Sequence, residues 1–563
     1  MANADRQAVG KALPHDSAHK HVSGEAVYVD DIPAPSGTLQ LYVAMSPHAH
    51  ARIRAMDLDP VREHPDAVAV FSAAEIPGKN DVSPIAGDDP LLADGLVEYV
   101  GQPVFAVVAR TREQARRAAE QARVDYEPLP AMVTIDQALE AESFVLPERL
   151  LERGEPDAAI RAAPHRLDGC LHIGGQDHMY LEGQAALALP QEDGDLQVYS
   201  STQHPSEVQH LVAGVIGKPS NAVTVEVRRM GGAFGGKETQ AAGFAALAGL
   251  AAHTIGLPVK VIVDRDDDMH ITGKRHDFRC DYTVGFDAEG RIRGLDVQLA
   301  SRCGRSADLS GPVNDRAVFH VDNVYYLEQV RIRSLRCKTH TVSNTAFRGF
   351  GGPQGMMVIE EIMDRVAARL GLDPLTVRRI NLYGIDDRNV TPYGMAVEDN
   401  IALEIIDALA EKTGYRERRR EIAAFNASSP WIRKGIALTA VKFGISFTNT
   451  FLNQAGALVH VYTDGSVHLN HGGTEMGQGL MIKVAQVVAE EFGVPVERIK
   501  VTATTTGKVP NTSATAASSG SDINGMAARN AARTIKQRLI DFAAEQFGAD
   551  PAEVVFRDDR VRF

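Results

Sequence analysis

The residues with the clearest chemical potential lie in 229–239, Arg-Met-Gly-Gly-Ala-Phe-Gly-Gly-Lys-Glu-Thr. A β-rich run, Val-Thr-Val-Glu-Val at 223–227, leads in, and an alanine-rich run with helical spacing, 239–253, leads out. Strand, glycine loop and helix form a layout that cradles phosphates, because the loop exposes backbone N–H groups and the helix start adds its positive dipole end. Residues 231–237 fit the first seven places of a P-loop, Gly-x-x-x-x-Gly-Lys, but the place that should hold Ser or Thr for Mg²⁺ holds Glu238. A carboxylate there repels bound phosphates. The loop therefore suits an anionic cofactor other than a nucleoside triphosphate, with an acidic group aimed elsewhere.

Three further loops of small residues stand before helical runs: 347–355 (Phe-Arg-Gly-Phe-Gly-Gly-Pro-Gln-Gly), 471–479 (His-Gly-Gly-Thr-Glu-Met-Gly-Gln-Gly) and 511–521 (Asn-Thr-Ser-Ala-Thr-Ala-Ala-Ser-Ser-Gly-Ser). Any one of them is equally well a tight turn. Four together can converge on one large, phosphate-bearing ligand, with backbone N–H groups, Gln478, Ser518, Ser519 and Ser521 as uncharged partners. Arg348 offers a cation or a clamp for its own loop. Glu238 reads as a favourable first-turn acid or as a functional carboxylate, and Arg316 as a surface residue or a functional cation. Phe234, Phe350 and Phe447 lie in or beside small-residue segments, where they serve core packing or hold a flat aromatic substrate between rings. The residues alone give an enzyme that binds a large anionic cofactor, with a carboxylate and an arginine at hand.

The chain has 563 residues, so several domains are expected, since single cores stop growing near roughly 250–300 residues. Fifty-nine basic residues against 73 acidic give a net charge of −14, which argues against a general nucleic-acid binder. The four cysteines, Cys170, Cys280, Cys303 and Cys337, show no metal-site or disulfide spacing. No stretch resembles a signal peptide or reaches the roughly 20 apolar residues of a membrane span. A cytoplasmic protein is the expectation.

Along the chain, residues 1–22 read as a solvated tail. Residues 23–132 read as a small α/β domain: a strand at 104–108, a capping box at Thr111-Arg-Glu-Gln114 opening a helix, and a strand at 124–126, taken as a β-α-β unit. A linker is expected at 133–166. Residues 167–392 carry the first two glycine loops. Residues 393–563 carry the other two, a hairpin about Thr463-Asp-Gly465, and a strand at 499–504. The run ending at Phe563 reads as an interrupted domain. The fold class is mixed α/β, multidomain.

Taken in order, the motifs resemble one family: the molybdenum-cofactor subunit of xanthine dehydrogenases and their aldehyde oxidase relatives. The resemblance begins at Ser23-Gly-Glu-Ala-Val-Tyr-Val-Asp-Asp-Ile32. It runs through Gly174-Gly-Gln-Asp-His178, Ser201-Thr-Gln203, Gly231-Gly-Ala-Phe-Gly-Gly-Lys-Glu238 and Ala346-Phe-Arg-Gly-Phe-Gly-Gly-Pro-Gln354. It ends at Gly472-Gly-Thr-Glu-Met-Gly-Gln-Gly479 and Thr515-Ala-Ala-Ser518. It implies an N-terminal hammerhead domain followed by two large molybdopterin-binding domains, the second incomplete, with a molybdopterin bound between them whose molybdenum has a terminal sulfido ligand. By motif, Gln203 would hydrogen-bond an oxygen on molybdenum and Phe234 and Gly235 would lie beside it. Arg348 and Ala517 would add backbone contacts, and Gly477, Gln478, Ala516 and Ser518 would hold the pterin or its phosphate. No protein side chain ligates molybdenum in this family, so the scarcity of cysteine is no objection.

The resemblance further implies that Glu238 and Arg316 recognise a purine, with Phe350 and Phe447 on its faces and Thr448 nearby. The implied activity is hydroxylation of hypoxanthine or xanthine to urate with oxygen from water. Electrons would pass through [2Fe-2S] clusters and FAD of a partner subunit to NAD, in a heterotetramer of two copies of each chain. The family's catalytic base is a glutamate in a Gly-Glu-Pro-Pro-like segment, which this chain lacks; Gly154-Glu-Pro-Asp157 is the nearest string. Truncation is the expectation. The alternatives are an aldehyde-oxidising relative and an inactive cofactor-binding fragment.

Overall fold

A computed structural model describes residues 8–563. Its largest sheet draws strands from all three regions of the chain. In spatial order these are Thr504–Thr505, Val223–Val227, Leu196–Ser200, Ala185–Pro190, Val259–Ile262, Leu39–Met45, Pro103–Ala109 and Ala67–Phe71. Leu39–Met45 pairs in parallel with Val259–Ile262, so the N-terminal α/β region and the next one share one sheet. The helices Pro205–Ile216 and Ala241–Ile255 pack on it over a core of Ala, Val and Leu. Ala241–Ile255 is buried on nearly all sides, which its alanine-rich composition permits: short side chains let it approach both the sheet and the neighbouring helix. At that crossing a Cβ on Gly249 would lie 2.8 Å from Val212 Cγ1.

A second sheet orders Phe144–Arg153, Val330–Lys338, Ile292–Gly304, Phe278–Phe286 and His165–Ile173. Two of its strands alternate buried apolar residues with partly exposed polar or charged ones, the signature of a sheet with one wetter face. The buried face packs on the helix Gly352–Leu370. A third sheet, Ala457–Val461, Val467–His471 and Ile499–Val501, carries the helices Leu480–Phe492 and Gly520–Phe547.

Four expectations need correction. The stretch 133–166 is not a linker: it holds the helix Ile135–Glu140, capped by Thr134 with Gln137, and the edge strand Phe144–Arg153. The β-α-β reading of 104–126 has the right elements but splits them. Pro103–Ala109 joins the largest sheet, whereas Arg123–Pro128 pairs with Ala51–Asp57 in a separate three-stranded sheet. The strand expected at 499–504 divides, with Thr504–Thr505 crossing to the largest sheet. Of the expected tail, residues 1–7 lie outside the described residues. The remainder is anchored at two points, although residues 10–14 between them are exposed: Ala8 is buried and the Ala8 and Val9 N–H groups donate to Glu490, and Asp16 pairs with Arg228 at 3.0 Å.

The Gly249 crossing yields a stability prediction. Gly249→Leu overpacks the contact with Val212 and costs about 1–3 kcal/mol, read as a lowered midpoint of denaturant unfolding. An unchanged midpoint contradicts this account of the packing.

Candidate active site

The loop after Val223–Val227 is set from below. Glu182 is the anchor: its carboxylate accepts from the Gly231 N–H at 2.8 Å and from the Ser201 hydroxyl at 2.7 Å. Lys237 is fully buried beneath the loop. Its Nζ donates to the Glu182 carbonyl and to Ser201 Oγ, each at 2.8 Å, and lies 3.3 Å from the Glu182 carboxylate. Burial pulls the Lys237 pKa down to about 8, with Glu182 opposing. This lysine faces the protein interior, so the P-loop reading fails on its second essential residue as well as on Glu238.

Above Lys237 the backbone turns left-handed at Phe234 (φ 56°) and Gly235 (φ 102°). A Cβ on Gly235 would meet the Ala346 carbonyl oxygen at 2.7 Å, so only glycine fits. Gln203 joins two loops from distant segments: its Oε1 accepts from the Gly235 N–H at 2.9 Å, and its Nε2 donates to the Thr515 carbonyl at 3.0 Å. The Arg348 N–H donates to the Phe234 carbonyl at 2.8 Å, which ties in the second loop. Phe347 stacks between His178 and the Arg275 guanidinium, at 4.5 and 3.9 Å.

These loops enclose a cavity of about 580 Å³. Gln203, Phe234, Gly235, Glu238, Arg316, Arg348, Phe350, Phe447, Gly477, Gln478, Ala516, Ala517 and Ser518 all line it. Thr448 does not; it is exposed beside Phe447. Phe443 also lines the cavity, with the Arg316 guanidinium 5.6 Å from its ring centre, and was not singled out by sequence. Its only local signal is a second phenylalanine four residues before Phe447.

Glu238 is 6% exposed, and burial pushes its pKa up to about 8; Glu207 and Asp308 add to the rise and His204 opposes it. The carboxyl is protonated at neutral pH and can both donate and accept a hydrogen bond. Arg316 donates from its two terminal nitrogens to the Gly444 and Ser446 carbonyls, each at 2.5 Å. It clamps the loop that carries Phe443 and Phe447, and that loop is tied in turn to the last glycine loop by the Ser446 N–H to the Ala517 carbonyl at 2.7 Å. Arg316 thus lines the cavity and also builds its wall.

The donor set fits a molybdopterin. Ala517 and Ser518 are both left-handed (φ 54° and 57°), immediately before the 28-residue helix Gly520–Phe547, whose first residues Gly520 and Ser521 line the cavity. That helix start favours an anionic group. Gly477 is left-handed, and a Cβ there would meet nothing within 4 Å, so the backbone stands open to an occupant. A neighbouring cavity of about 730 Å³ shares Phe234, Met476 and Gly477 with the first and extends the available space. None of the four cysteines lines either cavity, which suits a metal that brings its own sulfur ligands. Gln478 uses its amide internally: Oε1 accepts from the Met476 N–H at 2.7 Å and Nε2 donates to the Thr474 carbonyl at 2.9 Å.

Residues 142–382 and 408–563 each match the molybdopterin cofactor-binding domain, and 23–130 match the hammerhead domain of aldehyde oxidase and xanthine dehydrogenase. The chain belongs to the molybdenum-cofactor xanthine dehydrogenase family. It is 46% identical over 532 residues to a xanthine dehydrogenase/oxidase of Gallus gallus, covering 94% of this chain and 39% of that protein. It is 42% identical over 566 residues to a nicotinate hydroxylase of Emericella nidulans, covering 98% and 42%. The crystal structure of quinoline 2-oxidoreductase from Pseudomonas putida 86 superposes with a TM-score of 0.88 at 25% identity, over 99% of this chain and 74% of that one. The chain thus spans about two fifths of the length of these two curated members. Hammerhead domain and two molybdopterin-binding domains are the architecture of this family chain. Among the described residues, no helix is long and apolar enough to cross a membrane.

The raised pKa of Glu238 has a stability consequence. Between about 4.5 and about 8 the folded chain keeps a proton that the unfolded chain releases, so stability falls as pH rises through that window. Glu238→Gln removes this term and gains progressively on the wild type from pH 5 to pH 8 (on the order of this window) in denaturant unfolding. Parallel profiles contradict the buried, protonated carboxyl.

Proposed function

We propose that this chain is the molybdenum-cofactor part of a hydroxylase that oxidises a purine, hypoxanthine or xanthine, to urate with oxygen from water. The observation that carries the reading is one cavity that brings together the Glu238 carboxyl, the Arg316 guanidinium and the rings of Phe350, Phe443 and Phe447, beside a cradle of uncharged donors. When bound, the molybdenum cofactor supplies oxygen transfer to an electron-poor ring carbon and accepts two electrons.

The chain's own residues bind and orient. Gln203, Gly235, Arg348 and Ala517 hold the cofactor's metal end, and Gly477, Gln478, Ala516 and Ser518 its pterin and phosphate. The phenylalanines exclude water and hold a flat ring by its faces. Glu238, protonated, donates to a ring nitrogen or accepts from a ring N–H. Arg316 stabilises negative charge that develops on the purine during reaction. The Gly444 and Ser446 carbonyls already hold its terminal nitrogens, so its positive charge acts from a fixed position, at no reorganisation cost. Electrons leave for the iron–sulfur clusters and FAD of a partner, with NAD as acceptor, in a heterotetramer of two copies of each chain; the assembly is cytoplasmic.

A second reading takes nicotinate as substrate, favoured by the 42% identity to the Emericella nidulans nicotinate hydroxylase. Both substrates are flat nitrogen heterocycles, and turnover by the full assembly decides between them. On the purine reading, Glu238→Ala and Arg316→Ala each lower kcat/KM for xanthine by about 10² or more. Wild-type values on xanthine for both variants, or turnover of nicotinate or an aldehyde but not of purines, overturn it.

A further inference from the structure

The residues that follow Glu238 face a different space. Thr239 and Gln240 line a small cavity of about 70 Å³ that Glu238 itself does not line. Its polar wall is completed by Asp308, Arg305, Asp89 and Tyr99. Asp308 is 3% exposed and left-handed (φ 38°), and it stands two residues before the helix Ser310–Val318, which carries Arg316. Its Oδ1 accepts from the Thr239 hydroxyl at 2.7 Å, and that hydroxyl lies 3.2 Å from Thr345 Oγ1. Its Oδ2 is buried and has no hydrogen-bond partner among the described residues.

The turn that presents Asp308 is fixed from outside. Arg305 pairs with Asp89, and the Ala307 N–H donates to Asp88 Oδ2 at 2.8 Å. Both acids come from the hammerhead region. A buried carboxyl oxygen without a partner is strongly disfavoured. The cavity beside it has room for about two waters at roughly 30 Å³ each, and its polar lining gives them partners.

We propose that Asp308 is a positioning residue for the Glu238 carboxyl, acting through the Thr239 hydroxyl and holding ordered water on its second oxygen. The inference rests on the reading of Glu238 as a substrate contact. Thr239 is the next residue after Glu238, so fixing its side chain fixes the backbone from which the carboxyl projects. The same aspartate stands at the start of the Arg316 helix. One buried carboxyl therefore registers both substrate-facing groups against each other, and the hammerhead region reaches the site through Asp88 and Asp89.

The test uses the molybdenum-loaded assembly and xanthine. Thr239→Val, which removes the hydroxyl at nearly constant volume, lowers kcat/KM about ten-fold or more, and Thr239→Ser restores most of it, with molybdenum per chain unchanged in both. In a Glu238→Ala background, Thr239→Val has little further effect, because the side chain it positions is already gone. A high-resolution crystal structure shows water on Asp308 Oδ2, and in Thr239→Val it shows the Glu238 carboxyl displaced. Wild-type kinetics for Thr239→Val, full additivity with Glu238→Ala, or a dry cavity overturns the proposal. If the wild type turns over no purine, the functional reading fails; the water and the displacement of Glu238 still decide this one.

Discussion

The buried pair of Glu182 and Lys237 is the interaction on which the site depends. A lysine with no exposed surface is tolerated only when every donor is met. Here the carbonyl and carboxylate of Glu182 and the hydroxyl of Ser201 meet them. The same carboxylate holds the Gly231 N–H and, through its other oxygen, the Val29 N–H at 3.1 Å. Pulling Lys237 inward turns the next residue, Glu238, into the cavity and leaves Phe234 and Gly235 arched over the top in left-handed backbone. A loop with phosphate-binding spacing thereby becomes one that presents a carboxyl.

Around that anchor the cavity is assembled from segments far apart in sequence by a few shared hydrogen bonds. Gln203 links 235 to 515, Arg348 links to Phe234, and Arg316 links the 444–446 backbone, which Ala517 also holds. Gln203 and Arg348 join loop to loop, and Arg316 ties the helix Ser310–Val318 to the loop at 444–446. The cavity's shape is therefore a property of the joined domains. Thr504–Thr505, which leaves the third sheet to pair with Val223–Val227, makes the same connection at the level of the fold.

What was legible in the sequence follows from range. Glycines at 235 and 477 and small residues at 516–518 mark left-handed or crowded backbone, and such local demands are written locally. The periodicity read at 239–253 and the capping box at Thr111 are equally local; the helix forms at Ala241–Ile255, two residues on, and the capping box stands where it was read. The direction of Lys237 was not legible, because it is set by a carboxylate 55 positions earlier. Nor was the double use of Arg316, whose partners are backbone carbonyls more than a hundred residues away. The edge strand Phe144–Arg153 was read as linker because its exposed face is charged and its pairing partner, Val330–Lys338, lies far along the chain. The order of the motifs carried the family, and the structure supplies the reasons for their positions.

Diffraction from the assembled holoenzyme at the molybdenum absorption edge, with a slowly turned-over purine soaked in, tests the central claim most directly. The account predicts an anomalous peak inside the cavity between Gly235 and Ala517, with the purine ring between Phe350 and Phe447 and its edge on Glu238. Molybdenum outside that cavity, or a purine bound away from Glu238 and Arg316, would contradict it.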